Sequence, residues 1–248
     1  DFHKDKNKKT FGRTEKDDKI LLEKLASDGL LARYGPKNKI AAQRMAKELK
    51  IIHELGFNSY FLINWDIIRY AQSRGFYYVG RGSGANSIVA YCLRITDVDP
   101  IELNLYFERF LNPHRTSPPD FDIDFSWTDR DEVIDYIFKR YGQNYVALLG
   151  AYPTFKHDAI IRQLGKVFGL PDEEIKTLQR TNYVEDKIHK LIFQYGKLMH
   201  GFPHNPSIHP CGMLISEEPI STYATVFLPP KGFASAQMDM FVAEDVGL

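Results

Sequence analysis

The sequence predicts a mixed α and β fold, in which an α/β body is interrupted by a small helical insertion at about residues 153–200. Three observations carry this prediction. Apolar residues recur at helical spacing over much of residues 16–74, and acid and apolar residues alternate over residues 119–125. After Gly201 the chain changes to proline-rich loops with short strands. A chain of 248 residues is long enough for one large domain or two modest ones.

Helices dominate the first part of the predicted body. Their apolar residues lie three or four positions apart, and a glycine ends each helix. The predicted helices are Lys16–Tyr34, Ile40–Leu55 and Tyr60–Arg74. Residues 1–15 are polar and basic, and we expect them to form a loose lead-in.

Shorter elements make up the rest of the predicted body. They are a strand at Phe76–Val79, helices at Ser87–Leu93 and Asp131–Tyr141, and strands at Tyr145–Leu149, Gly212–Ser216 and Ser235–Phe241. The insertion is predicted to be entirely helical, in three segments separated at Gly169–Pro171 and at Thr181–Asn182.

Composition excludes few classes of protein. Lys plus Arg equals Asp plus Glu at 32 each, so the formal net charge is zero, which counts mildly against a nucleic-acid binder unless the basic charge is local. Cys92 and Cys211 form no CxxC pair, and the histidines, including His189, show no metal-ligand spacing such as HExxH. Without an apolar run of 18 residues or a signal-peptide pattern, we expect a cytoplasmic protein with no membrane partner.

The most informative stretch is the segment PDFDIDF at residues 119–125. On a strand, Asp120, Asp122 and Asp124 would share one face, because successive side chains point to opposite sides. Like charges on one face are destabilising, so a positive group should lie over them. Carboxylates two residues apart, roughly 6–7 Å at Cα, suit a pair of Mg²⁺ ions roughly 3.5–4 Å apart. The alternative is an amphipathic strand with a hydrated acidic face.

A glycine loop at residues 80–87, GRGSGANS, lies between a predicted strand and a predicted helix. Glycines allow a ligand to approach the backbone, and a helix N-terminus favours anions. Arg81 and Ser83 would add phosphate-binding groups. The loop lacks the P-loop pattern, and its match to G-x-G-x-x-A through Gly80, Gly82 and Ala85 is loose. An ordinary strand–turn–helix link is the alternative.

Arginines precede the acidic segment. Arg109 and Arg115 lie in FERFLNPHR, and an arginine beside a metal site suits the charge of a transferring phosphate. For either residue, a surface ion pair is the alternative interpretation.

Three motifs, in this order and spacing, resemble a known family. GRGSGANSIVAYCLRITDVDP, FERFLNP and PPDFDIDF are similar to the catalytic core of the bacterial C-family polymerases, which comprise the DNA polymerase III alpha subunits and their error-prone relatives. The similarity continues in LGFNSYFLINWDIIRYA and DEVIDYIFKRYG, and more faintly in IHPCGMLIS and AQMD. It covers most of residues 16–248 and is weakest over residues 170–205.

The resemblance implies an α+β fold, a polymerase-β-like nucleotidyltransferase palm with an inserted helical thumb. The palm would comprise residues 16–152 and 201–248, and the thumb residues 153–200. The implied activity is template-directed DNA synthesis, in which two Mg²⁺ ions, replaceable by Mn²⁺, assist transfer from a dNTP to a primer 3′-hydroxyl. The implied partners are primer–template DNA and dNTP and, for the full-length protein, a sliding clamp and other replisome subunits.

The resemblance also implies roles for individual residues, according to their positions in the matching motifs. The resemblance assigns Asp120 and Asp122 as catalytic metal ligands, with Asp124 in a supporting role. Arg81, Gly82, Ser83 and Arg109 would hold the triphosphate. The family's third carboxylate lies in a Lys-x-Asp element that would follow Leu248, and the chain opens on Asp1 rather than Met. We therefore expect a fragment of a larger polymerase that is inactive by itself.

Two other functions remain as alternatives. A dinucleotide-dependent oxidoreductase would use the glycine loop together with Asp97 or Asp99 on a ribose. A non-catalytic nucleic-acid-binding module would carry the acidic segment as a vestige.

Overall fold

The computed structural model describes residues 10–112, 119–181 and 186–246. In this part of the chain it contains nine α-helices and six strands. The helices are α1 (Glu15–Tyr34), α2 (Lys39–Glu54), α3 (Asn58–Arg74), α4 (Ile88–Cys92), α5 (Arg130–Tyr141), α6 (His157–Val167), α7 (Asp172–Thr181), α8 (Lys187–Met199) and α9 (Met240–Asp245). The strands are β1 (Tyr78–Arg81), β2 (Asp122–Phe125), β3 (Val146–Ala151), β4 (Ser207–Ile215), β5 (Val226–Phe227) and β6 (Ser235–Ala236). These elements confirm a mixed α+β class. None of the described helices has the length and apolar character needed to span a membrane.

The first three helices agree with the predicted ones to within two residues at each end, because their ends carry local signals. The Thr14 and Asn38 side chains cap the N-termini of α1 and α2. Gly35 and Gly75, both at positive φ, end α1 and α3. Of the predicted lead-in, residues 1–9 lie outside the described part of the chain. The ring of Phe11 makes an edge contact with Trp65.

The strands form two separate sheets. β1 and β2 pair antiparallel, and the other four strands lie in the order β4-β3-β6-β5. In the larger sheet β3 is antiparallel to β4, with an irregularity between Leu148 and Gly150, and parallel to β6. Residues Val146–Gly150 of β3 are all buried, as expected of a strand that is covered on both faces.

The strand predicted at Ser235–Phe241 is wrong beyond Ala236. Asp239 instead caps α9, because its side chain accepts hydrogen bonds from the N–H groups of Phe241 (3.1 Å) and Val242 (3.0 Å). A side chain that satisfies free N–H groups at this position favours a helix over a continued strand. The predicted strand Phe76–Val79 is also displaced, since β1 runs from Tyr78 to Arg81.

The predicted helical insertion consists of α6, α7 and α8, which pack around a small apolar core of their own. The two segments that connect the insertion to the body run side by side. Thr154 forms an antiparallel bridge with Pro203, and Phe155 N–H donates to the carbonyl of Phe202 (2.9 Å). We call this pairing the neck. The predicted break at Asn182 lies outside the described residues.

A buried carboxylate joins α3 to α5. Asp66 is fully buried and accepts hydrogen bonds from the hydroxyls of Tyr136 (2.8 Å) and Tyr141 (3.2 Å). The guanidinium groups of Arg69 and Arg140 donate to it as well, at 3.1 and 3.2 Å. Burial, and then the hydrogen bond to Asp66, raise the pKa of Tyr136. A buried charge that is fully hydrogen-bonded in this way holds two helices at a fixed separation.

Candidate active site

The pairing of β1 with β2 creates an outward-facing charged surface. Arg81 lies opposite Asp122, and Val79 lies opposite Asp124. The side chains of Asp122 and Asp124 are 42% and 57% exposed. Ile123 and Phe125 instead pack against the apolar core that α1 to α4 form. The alternation predicted from the sequence is therefore confirmed over residues 122–125.

Asp120 does not belong to this strand, which corrects the expectation of three aspartates on one strand face. The segment leaves the ladder at Phe121, whose N–H donates to the hydroxyl of Tyr60 (2.9 Å) rather than to β1. The Phe121 ring packs against Phe61 and Phe110, with centroids 5.2 and 4.8 Å away. Asp120 is exposed and lies just before the strand begins.

The positive group over the acidic face is Arg81. Its Nε lies 2.6 Å from Oδ2 of Asp124, and its Nη1 lies 3.6 Å from Oδ2 of Asp122. The hydrogen bond to Asp124, followed by the charges of Asp124 and Asp122, raises the pKa of Arg81, and the Cys211 thiol makes a smaller contribution in the same direction.

The residues after β1 form a short 3-10 helix, Gly82–Asn86, which we call the glycine turn. Gly82 has φ +72°, and a Cβ atom there would lie 2.4 Å from Oδ2 of Asp122. A Cβ atom on Gly84 would lie 2.4 Å from the Phe121 ring. Glycine at both positions therefore permits the close approach of the acidic segment. Ser83 lies between them and is partly exposed.

The prediction that a helix N-terminus lies open to phosphate is wrong. α4 has only five residues, and its first N–H groups already have partners. The N–H of Ala90 donates to Ser87 Oγ (3.1 Å), and the N–H of Val89 donates to Oε2 of Glu48 (3.3 Å). The anion at this helix end is therefore a carboxylate of the protein itself.

Glu48 is the residue that the sequence analysis missed. It is fully buried, and burial raises its pKa against the opposing effects of Arg44 and Ser87. Its position in the sequence held a signal, because Glu48 falls on the apolar face of α2, between Met45 and Ile52. A charged residue on a buried face needs a partner, and Arg44, four residues earlier, is that partner.

Arg109 is brought close to the glycine turn, although its side chain forms no hydrogen bond with Ser83 in the described part of the chain. It is exposed and ends a second 3-10 helix, Phe107–Arg109, which packs against the glycine turn. We call this helix the arginine turn. Its neighbour Glu108 pairs with Lys47, which lowers the pKa of Glu108. Arg115 lies outside the described residues.

The three aspartates do not converge on a single point. Among the described residues, one group of three potential metal ligands has all its donor atoms within 4.8 Å of one another, and it consists of Glu174, Asp186 and His189 in the insertion. Ordinary contacts explain that group. Asp186 caps α8 by accepting from the N–H of His189 (2.9 Å), and His189 Nε2 lies 2.8 Å from Glu174.

Comparison with known proteins identifies relatives over nearly the whole chain. Residues 20–248 match a family model described as the bacterial DNA polymerase III alpha NTPase domain. The chain is 37% identical to DNA polymerase III subunit alpha of Borreliella burgdorferi and 36% identical to the error-prone DNA polymerase of Symbiobacterium thermophilum. It is 35% identical to DNA polymerase III subunit alpha of Bacillus subtilis. Each alignment covers 92% of this chain but only 22% or 23% of the relative.

Proposed function

Because the chain belongs to the bacterial DNA polymerase III alpha family, we propose that it forms the nucleotidyl-transfer part of a DNA-directed DNA polymerase. The reaction joins a dNTP to the 3′-hydroxyl of a primer. In this proposal the two sheets and their helices, residues 16–152 and 201–248, form a palm related to that of polymerase β. Residues 153–200, with α6 to α8, form a thumb.

One observation carries the proposal. The antiparallel pairing of β1 with β2 puts the glycine turn directly against Asp122, with space for a hydrogen atom but not for a Cβ at Gly82. The backbone that we propose to bind phosphate and the carboxylate that we propose to bind metal therefore lie next to each other. Nucleotidyl transfer needs these two elements side by side, because the carboxylates would hold the divalent cations that neutralise the charge of the phosphates bound at the turn.

The residues present fit a divalent cation. Asp122 and Asp124 offer hard oxygen donors on one exposed face, and Asp120 precedes them on the same segment. We assign Asp120 and Asp122 as the metal ligands and Asp124 as support. When bound, two Mg²⁺ ions, or Mn²⁺ in their place, would neutralise phosphate charge and favour the deprotonated primer hydroxyl.

The protein's own groups would bind and orient the triphosphate. Arg81 is half-exposed and able to exchange its carboxylate partners for phosphate oxygens. The Ser83 hydroxyl and the backbone of Gly82 would contact the phosphates from the turn, and Arg109 from the neighbouring turn. In this proposal the partners of the whole enzyme, in the cytoplasm, would be primer–template DNA, a sliding clamp and other replisome subunits.

Of the alternatives, the oxidoreductase has lost its structural support. The Arg33 guanidinium binds Asp97 at 2.7 Å, the Tyr34 hydroxyl donates to Asp99 at 2.6 Å, and the N-terminus of α4 is occupied by Glu48. A non-catalytic nucleic-acid-binding module has no specific observation in its favour. A shallow dependence of DNA affinity on salt would indicate few phosphate contacts within these 248 residues.

Metal and nucleotide titrations test the proposal directly. Isothermal titration of Mn²⁺ should give heat with the wild-type chain and none with the double variant Asp120→Asn/Asp122→Asn. The matched control is Asp135→Asn, which removes a half-exposed aspartate that pairs with Lys139 on α5. With Mg²⁺ present, dATP should bind and NAD should not, and Ser83→Ala should weaken dATP binding.

Three results would contradict the proposal. They are equal Mn²⁺ binding by wild type and the double variant, binding of NAD in preference to dATP, and nucleotide binding that is unaffected by Ser83→Ala.

We expect no measurable primer extension by the 248-residue chain. With two aspartates on β2 and one before it, a second metal ion would have no fixed set of ligands. The reacting groups would then be misplaced, and misplacement by about 1 Å can cost roughly 100-fold in rate. Extension that disappears in Asp122→Asn would contradict this expectation.

A further inference from the structure

The side chain of Arg44, on α2, spans the two turns that carry the proposed triphosphate ligands. Its Nη2 donates to the carbonyl of Asn86 (3.1 Å), at the end of the glycine turn, and to the carbonyl of Leu105 (3.0 Å), just before the arginine turn. Its Nε donates to Oε1 of Glu48 at 2.6 Å. The planar guanidinium therefore fixes the distance between two loops that have no strand or helix in common.

Glu48 completes the bridge from the other side. Its Oε2 accepts from the hydroxyl of Ser87 (2.8 Å) and from the N–H of Val89 (3.3 Å). The glycine turn is thus held at its end by an arginine and a carboxylate that are themselves paired. Because Glu48 is fully buried, the loss of either partner leaves an unpaired polar group, which is costly.

A hydrogen bond carries this restraint to Ser83. The Asn86 side chain donates from Nδ2 to the carbonyl of Ser83 at 2.8 Å. Arg44 thereby fixes Asn86, and Asn86 fixes the backbone that presents the Ser83 hydroxyl. On the surface of the same helix, Lys47 pairs with Glu108, the residue beside Arg109.

We propose that Arg44 and Glu48 are positioning residues, which hold the glycine turn and the arginine turn at the separation that lets Ser83 and Arg109 contact one triphosphate. This inference rests on the proposed function. In this proposal neither side chain contacts the nucleotide, because Nε and Nη2 of Arg44 already donate to Glu48 and to the two carbonyls, and Glu48 is fully buried. The metal ligands lie outside this bridge, since Phe121 holds their segment against Tyr60.

The substitution Arg44→Lys separates positioning from folding. Lysine keeps the positive charge beside Glu48, but its single nitrogen cannot take the place of both Nε, which donates to Glu48, and Nη2, which donates to the two carbonyls. We expect the dissociation constant for dATP with Mg²⁺ to rise about tenfold, equivalent to about 1.4 kcal/mol. The dissociation constant for Mn²⁺ should stay within error of the wild-type value.

The matched control is Arg140→Lys. Arg140 also donates to a fully buried carboxylate, Asp66, but the Asp66 network joins α3 to α5 and includes neither turn. This variant should lower the melting temperature as Arg44→Lys does, without a change in dATP affinity. If Arg44→Lys fails to fold, Asn86→Ser removes the single bond to Ser83, and we expect about a threefold loss of dATP affinity.

The outcomes distinguish this inference from the proposed function. Equal dATP affinity in wild type and Arg44→Lys would overturn the inference and leave the proposed function intact. A parallel loss of Mn²⁺ binding in Arg44→Lys, or an equal loss of dATP affinity in Arg140→Lys, would show a general structural effect and would also overturn it. Failure of the wild-type chain to bind dATP would overturn the proposed function and, with it, the inference.

Discussion

The two sheets of this protein place opposite kinds of residue on their surfaces. In the four-stranded sheet, β3 is buried along Val146–Gly150 and carries no charged side chain. In the two-stranded pair, the outward face carries Arg81, Asp122 and Asp124, all at least 42% exposed. Apolar burial stabilises the first sheet. The two-stranded pair is supported on its inner side by the packing of the Phe121 ring. Its ion pairs are exposed to water, where such pairs are weak and exchange partners easily. Charged side chains that interact only weakly with one another remain available to bind a charged ligand.

The largest effect that sharpens this comparison should come from the core of the larger sheet. Leu148 is 5% exposed in β3, and Leu148→Ala should lower the free energy of unfolding by about 2–5 kcal/mol through lost burial and a cavity. Val79, 61% exposed in β1, is the control, and Val79→Ala should change that free energy by no more than about 0.5 kcal/mol. Urea denaturation measures both. Similar losses in the two variants would remove the contrast between the sheets.

A smaller effect should follow from crowding the support behind the acidic segment. In Gly84→Ala the new Cβ would lie 2.4 Å from a Phe121 ring carbon, so the ring must shift. Overpacking of this kind costs about 1–3 kcal/mol, and we expect weaker Mn²⁺ binding because Phe121 sets the position of Asp120 and Asp122. Denaturation and Mn²⁺ titration of the same variant measure the two effects. Unchanged metal affinity despite lost stability would show that the acidic segment is fixed by other contacts.

The smallest effect concerns the two thiols, one on the larger sheet and one in the helix that follows the glycine turn. Cys211 on β4 is exposed, whereas Cys92 in α4 is buried, and burial raises the pKa of Cys92 to about 12. At pH 8 a thiol reagent should modify Cys211 alone in the folded chain and both thiols after unfolding. Rapid modification of Cys92 in the folded chain would contradict the buried position of α4.

The raised pKa of Cys92 also predicts a dependence of stability on pH. An unfolded thiol titrates near pH 8.5, whereas the folded one titrates at about 12. The folded state therefore holds its proton where the unfolded state has lost it, and this contribution to stability declines as pH rises from about 8.5 towards 12. The decline should be less steep in Cys92→Ala. Parallel pH profiles for wild type and variant would contradict the assignment.

The sequence predicted what local patterns encode. Glycines and capping residues predicted the ends of α1 to α3, and the periodicity of the insertion predicted three helices there. The alternation of acid and apolar residues predicted that Asp122 and Asp124 share a face. It also predicted that a positive group lies over them, and Arg81 is such a group, whereas the predicted metal ions remain a prediction.

Predictions that depended on tertiary contacts did less well. Asp120 leaves the strand because the N–H of Phe121 finds Tyr60, which lies far away in sequence. The N-terminus of α4 is closed because Glu48 reaches it from α2. Neither contact is visible in a local window of sequence. The cap of α9 at Asp239 is local, and an aspartate before a run with helical propensity could have predicted that helix.

The neck has a consequence for the order of folding. β3 and β4 are far apart in sequence, and pairing them directly would require closing a long loop, which is entropically costly. The neck pair, Thr154 with Pro203, lies just beyond the end of the β3–β4 ladder, where Ala151 faces Ser207. Once α6 to α8 have folded around their own core, the two strands emerge already adjacent. We therefore expect the insertion to act as a nucleus that converts a distant strand pairing into a local one and speeds formation of the larger sheet.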